Sequence, residues 1–230
     1  MKCDKILTVA GTRYKIVSDS LTLEQSTPGR GIFAVQSEKQ LAGMAQLSIG
    51  VNNQYEVFAT GYIDNCRQID AKQQRLMFRE TAAVLAGRWP LSFRNVIISD
   101  VLADISAKTG LAFSLEKADW NTVSMPHFIN IGTGMEALNL LSWQLDIDDF
   151  VWQCQPDGSI YLGSRAGAKI YQKILSLPAE FFTNLSASGA SCPIVPGFRP
   201  GRRLRIGNGD IVTLDLVTIN ADSMRLGFEA

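Results

Sequence analysis

The strongest constraint in this sequence is its punctuation: strand-length apolar runs broken by turn residues fill both ends of the chain, and the signals for both long helices fall in the middle. In the first 80 residues, the runs 5–10, 13–17, 31–35, 46–51, 55–63 and 75–79 are separated by Gly11-Thr12, Pro28-Gly29, Asn52-Asn53 and the polar link 70–74. Strands at this spacing, joined by short turns, suit a barrel or a sandwich. The alanine-rich stretch 80–87 has the length of one or two helical turns.

The middle changes character. Val101, Leu102 and Ile105 follow Ser99-Asp100 and precede Gly110, which predicts a helix with Ser99 as N-cap and Gly110 just past its end. Thr133-Gly134-Met135-Glu136 fits a capping box and opens a second helix, with Ala137, Leu140, Leu141 and Leu145 on one side. Residues 150–154 and 159–162 flank Gln155-Pro156-Asp157-Gly158, a sequence suited to a type I turn with a glycine bulge. Val101, Leu102, Ile105, Leu140, Leu141, Leu145 and Trp152 form the expected core here, and Trp143 shares a core-like segment. In the last third, 169–175 reads as a strand. Residues 178–200, with Pro178, Pro193, Pro196 and Pro200, read as a long surface excursion. Residues 202–206, 211–219 and 224–228 read as a three-strand meander. The order is β, then α/β, then β: two strand-rich modules around an α+β insert.

Composition narrows the chemistry. Hydrophobic residues make up 46% of the 230, enough apolar surface to exclude disorder. The 22 basic and 22 acidic side chains cancel, whereas a free-standing nucleic-acid binder carries a basic excess. Low charge near neutrality favours association. The apolar run at 6–10 is shorter than a signal-peptide core, and no run is long enough for a membrane span. Cys3, Cys66, Cys154 and Cys192 form no C-x-x-C pair, and His127 is the only histidine, so the residues read as reduced thiols and not as a zinc site.

Three motifs have tempting chemical readings. Gly132-Thr133-Gly134-Met135-Glu136-Ala137 matches a dinucleotide loop, but an antiparallel hairpin follows it where a parallel βαβ return is required, and a capped helix start accounts for every residue. Asp146, Asp148 and Asp149 fail the calcium-loop pattern at Phe150 and Val151 and read as a solvated link. Arg199, Arg202, Arg203 and Arg205 place four cations in seven residues with no acid between them. They stand as the candidate partner interface; a solvated face and a phosphate contact are the alternatives. No residue is assigned a catalytic, cofactor-binding or metal-ligating role.

The order of pieces resembles the phage tail baseplate hub proteins of the late-control-protein-D family. YEVFATGYIDNCR at 55–67 is similar to that family's "f-x-x-G-x-V-d" strand pair, and residues 95–111 to its short strand, helix start and "ia-x-x-x-gl" finish. Residues 133–143 match its second helix and 155–162 its "dG-x-l-x-i" hairpin, so the resemblance covers about 55–163. It implies an α+β, mainly β chain of two tail-tube-like β-barrel or sandwich modules (1–89 and 164–230) flanking an α/β insert (90–163). It implies a structural role without enzymatic activity: a homotrimer at the virion tail tip, made in the host bacterial cytoplasm, that joins a six-fold tail tube to a three-fold tip. The partners would be the tail tube or distal tail protein, the tape measure protein and central spike or fibre proteins, with DNA passing through the channel without specific binding. A hub of a contractile secretion or tailocin system is the related alternative. A tail-associated cell-wall-degrading enzyme would need a marked acidic pair, and a carbohydrate-binding module would need clustered exposed aromatics.

Overall fold

The computed structural model describes residues 3–51 and 54–229; the expected Asn52-Asn53 turn lies outside the described residues. The chain begins with β1 (Cys3–Val9), β2 (Thr12–Tyr14), β3 (Ile16–Glu24), β4 (Thr27–Gln36), β5 (Gly43–Val51), β6 (Gln54–Asp70) and β7 (Gln73–Glu80). Strand β7 shows why these segments are strands: Arg75, Met77 and Arg79 are exposed while Leu76, Phe78 and Glu80 are buried, a strict period of two. β4 runs through Pro28-Gly29, which the sequence reading treats as a break; both residues are buried inside the strand.

The insert follows a 3₁₀ segment at Thr81–Ala86. It contains β8 (Leu91–Val96), α1 (Ile98–Thr109), β9 (Phe113–Leu115), β10 (Met125–Asn130), α2 (Gly134–Gln144), β11 (Phe150–Cys154) and β12 (Ile160–Ser164). Gly110 ends α1 in the left-handed conformation, φ +74°, as expected, but the N-cap is Ile97 and not Ser99. The α2 capping box is complete: Thr133 Oγ1 accepts from the Glu136 amide (3.1 Å), and Glu136 accepts from the Thr133 amide (2.7 Å). Asp157 and Gly158 build the expected turn, with Gly158 at φ +90° and its amide donating to the Gln155 carbonyl. Val101, Leu102, Ile105, Leu141, Leu145 and Trp152 are buried in one apolar cluster. Leu140 only packs at its edge, because the buried stripe of α2 is Gly134, Ala137, Leu138 and Leu141, and Trp143 is 78% exposed. Ala137, Leu141 and Leu145 are buried as expected, and Leu138 takes the place expected of Leu140.

The chain ends with α3 (Lys169–Gln172), β13 (Ile174–Leu177), β14 (Thr183–Ser186), β15 (Gly189–Pro193), β16 (Arg203–Ile206), β17 (Ile211–Asn220) and β18 (Ser223–Phe228). Two expectations are corrected here. Residues 169–175 are a helical turn followed by a strand. Residues 178–200 hold β14 and β15 and bury Phe182, Ala190, Cys192, Ile194 and Phe198. Their prolines sit at strand ends and in loops, so they did not disrupt pairing.

The architecture is α+β and mainly β. Strands of both ends join one 13-stranded sheet through the antiparallel pair β3–β17, Leu216↔Glu24 to Asn220↔Ser20. Their apolar faces merge into one core that holds Leu7, Phe33, Leu47 and Phe78 from the first segment and Phe198, Leu204, Val217 and Leu226 from the last. Lys5 on β1 pairs with Asp19 on β3 (2.6 Å) and donates to the Ala221 carbonyl in the β17–β18 turn, so the sheet curls back on itself. Ala82 and Leu85 pack into the insert's core.

Leu141→Ala removes a fully buried side chain and is expected to cost about 2–5 kcal/mol. Leu140→Ala, at the cluster's edge, should cost clearly less; equilibrium urea unfolding of the two variants checks the helix phase.

Candidate functional site

The four arginines of the 199–205 cluster do not form one surface. Arg199 is buried, with its side chain only 7% exposed. Its guanidinium meets Glu80 Oε1 at 3.2 Å, donates to the Cys154 carbonyl at 2.9 Å and to the Phe58 carbonyl, and lies 5.3 Å from the centre of the Phe58 ring. The other Glu80 oxygen accepts from the Gly29 amide at 2.8 Å. This one cation therefore touches all three segments of the chain: β6 and β7, the insert strand β11, and the loop before β16. Sequence reading missed Glu80, yet a signal was present. A glutamate on the apolar face of an alternating strand has to find a buried cation, because an unpaired buried charge is too costly. Burial pushes the Glu80 carboxyl above the ordinary range, and the Arg199 guanidinium and the Gly29 amide pull against that shift.

Neighbouring contacts reinforce the junction. Gln153 donates to the Pro200 carbonyl at 2.6 Å. Thr60 donates to Pro156 (2.6 Å) and Thr81 to Gly158 (2.7 Å), which docks the tip of the β11–β12 hairpin on β6 and the 3₁₀ segment. A Cβ at Gly158 would meet Thr60 Cγ2 at 2.9 Å, so this glycine is needed for close approach as well as for its left-handed φ. At the exit from the insert, Glu116 accepts from the Ser164 amide (2.5 Å) and hydroxyl (3.0 Å), and Arg165 bridges Asp149 and Glu229.

Arg202 is half-buried and donates to the carbonyls of Gly197 (3.2 Å) and Ile170 (3.4 Å); burial draws its pKa below the ordinary arginine value. Arg203 and Arg205 lie on the same side of β16, with Leu204 buried between them, and Arg205 is exposed. The candidate surface thus shrinks to Arg203 and Arg205. Of the cysteines, Cys154 and Cys192 are buried; burial raises both thiols, Cys192 to about 12, so they stay protonated and unreactive at neutral pH. His127 is exposed on β10. Among the described residues no group of three or more His, Cys, Asp or Glu could hold a metal ion, and no helix is long and apolar enough to cross a membrane.

No protein-family model matches the chain. It is 25% identical over 202 residues to an uncharacterised 58.7 kDa protein of Haemophilus phage HP1, a match covering 87% of this chain and 38% of that protein. The chain therefore spans about two fifths of that relative's length. Among solved structures, it superposes on the 43 kDa tail protein of prophage MuSo2 from Shewanella oneidensis with a TM-score of 0.72 and 9% identity, covering 100% of this chain and 98% of that one. The fold is that of phage tail proteins. A tail protein from Neisseria meningitidis has the tail-protein fold at a TM-score of 0.66 and 10% identity, with 99% and 96% coverage. An Escherichia coli component of the type VI secretion system shares it at 0.63 and 13%, over 96% of this chain and 76% of that one.

Arg199→Met leaves Glu80 buried without its counter-charge and is expected to cost about 3–5 kcal/mol. The double variant Arg199→Met/Glu80→Met should lose less than the sum of the two singles. Chemical denaturation of the four proteins in a double-mutant cycle measures this coupling.

Proposed function

We propose that this chain is a structural component of a phage or prophage tail, a baseplate hub that performs no chemistry. The observation that carries this reading is the agreement of fold along the whole chain with a prophage tail protein. The order of sequence pieces at 55–163 supports it independently. In this reading the chain is a homotrimer at the tail tip that adapts a six-fold tube to a three-fold spike or fibre. Residues 1–89 and 164–230 supply two tube-facing modules per copy, six per ring, and the insert 90–163 decorates them. Ring closure by head-to-tail contacts needs two different complementary surfaces on each copy. The tail tube or distal tail protein, the tape measure protein and central spike proteins are the proposed partners, and DNA crosses the channel without specific binding.

The type VI secretion neighbour favours a second reading, a hub or spike base in a contractile secretion system, with the same mechanics and a different spike.

Light scattering of the full chain, alone and with a neighbouring tail protein, tests the hub reading. Three chain masses are expected in at least one of these samples; a strict monomer in both overturns it. Arg203 and Arg205 are the proposed partner contacts. Arg203→Glu/Arg205→Glu should leave the thermal unfolding midpoint nearly unchanged, since Arg205 is exposed and Arg203 half-exposed at the surface of β16, while reducing tail assembly. Normal assembly of infectious tails by the double variant would assign both side chains to solvent.

A further inference from the structure

The net charge of zero conceals a separation. Residues 90–163 carry nine acidic and three basic side chains, while the two strand-rich segments together carry thirteen acidic and nineteen basic ones. The excess on the strands is ordered. On the exposed face of the large sheet, Arg30 on β4 stands directly opposite Arg79 on β7, and Arg75 on β7 directly opposite Arg67 on β6. Like charges facing each other across strands destabilise a sheet left bare. Between the two arginine pairs lies the cross-strand pair Ile32–Met77, 48% and 44% exposed. Glu24 and Asp64 approach Arg30 and Arg79 only to 3.8 Å, both at the surface, where such pairs contribute little. An apolar centre flanked by cations is the composition of a docking face and not of a solvated one.

The face continues sideways. A groove of about 260 Å³ lined by Arg30, Ile32, Met77 and Arg79 adjoins one of about 740 Å³ that shares Thr22 and Arg30 with it and ends at Arg225. Arg225 and Arg30 are three strands apart, about 14 Å at the ordinary strand spacing.

The matching shape lies on the insert. Trp143 is the most exposed large apolar side chain among the described residues. The loop after it turns sharply through left-handed Asp146 (φ +50°) and Asp149 (φ +48°), and Asp146, Asp148 and Asp149 are all exposed. Arg165 engages Asp149; Asp146 and Asp148 form no ion pair among the described residues. An exposed indole followed by two carboxylates without ion-pair partners complements an apolar strip flanked by guanidiniums: the ring covers Ile32 and Met77 and can stack against an arginine, while the acids relieve the opposed arginine pair Arg30–Arg79.

We propose that the end of α2 with Trp143, together with the following loop with Asp146 and Asp148, of one copy seats in the arginine-flanked groove on the β3–β4–β7 face of a second copy. The contact is head-to-tail, the kind that closes a ring, and it rests on the ring-forming reading given above.

The test compares full-length wild type with Arg30→Glu/Arg79→Glu, with Asp146→Lys/Asp148→Lys and with the four changes combined, using light scattering and sedimentation over a range of concentrations. Each double variant should weaken self-association at least tenfold with an unchanged circular dichroism spectrum, and the combined variant should regain it. Trp143→Ala should weaken it without changing its salt dependence. If wild type forms trimers that Arg30→Glu/Arg79→Glu leaves intact, the proposed contact is wrong and the hub reading stands. If only the arginine variant dissociates, the occupant is not this loop. If the arginine variant instead abolishes salt-dependent binding of a duplex DNA oligonucleotide with its oligomer unchanged, the face serves nucleic acid. A wild type that is monomeric at every concentration overturns the contact; the ring falls as well if the chain also stays monomeric with a neighbouring tail protein.

Discussion

One buried cation organises this molecule. The Arg199 guanidinium needs a counter-charge and several acceptors to leave water, and it finds them only where three distant parts of the chain meet: Glu80 at the end of β7, the Phe58 carbonyl on β6 and the Cys154 carbonyl on β11. The polar network is almost fully satisfied, because the second Glu80 oxygen is held by the Gly29 amide. A buried pair of this kind is a poor source of net stability, since desolvation offsets most of the attraction. Its effect is on specificity: any arrangement that displaces the insert or the last segment leaves a charge stranded in the apolar interior. The hydroxyl contacts of Thr60 and Thr81 then fix the angle at which the hairpin tip meets the sheet.

That rigidity has a use in the proposed assembly. A hub has to present one surface to its own copies and others to the tube and spike, with fixed angles between them. The continuous sheet through β3 and β17 holds the two strand-rich ends as one body, and the Arg199 junction fixes the insert to it. An acidic insert on a basic sheet then gives each copy an electrostatic polarity that isolated net charge does not reveal. Heterologous contacts favour such polarity, because each copy offers different surfaces fore and aft.

Much of this was legible in the sequence, and the exceptions share a cause. The hairpin turn, the α2 capping box, the Gly110 stop and the closing meander are set by residues adjacent in sequence, and each forms where local chemistry places it. What sequence reading missed depends on long-range partners. Residues 178–200 look like solvent-exposed loop until β15 pairs with β18 and buries Cys192 against the merged core. Leu140 is left at the edge of the core and Trp143 turns outward because the buried stripe of α2 is centred on Ala137, Leu138 and Leu141. The arginine cluster has the composition of a surface patch, but Arg199 is claimed by Glu80, 119 residues away. The strict alternation of β7 already placed a glutamate on its apolar face, and that local fact was the available pointer to the junction.

The account stands on Arg199 coupling three segments into one body, and hydrogen exchange read by mass spectrometry tests this most directly. In Arg199→Met, the account predicts that amide protection falls together at Gly29, along 56–60, along 151–155 and in 196–201, while α1 and the β1–β5 pairing keep theirs. Loss of protection confined to 196–201 would show that the insert and the sheet hold together without the buried cation, and would contradict it.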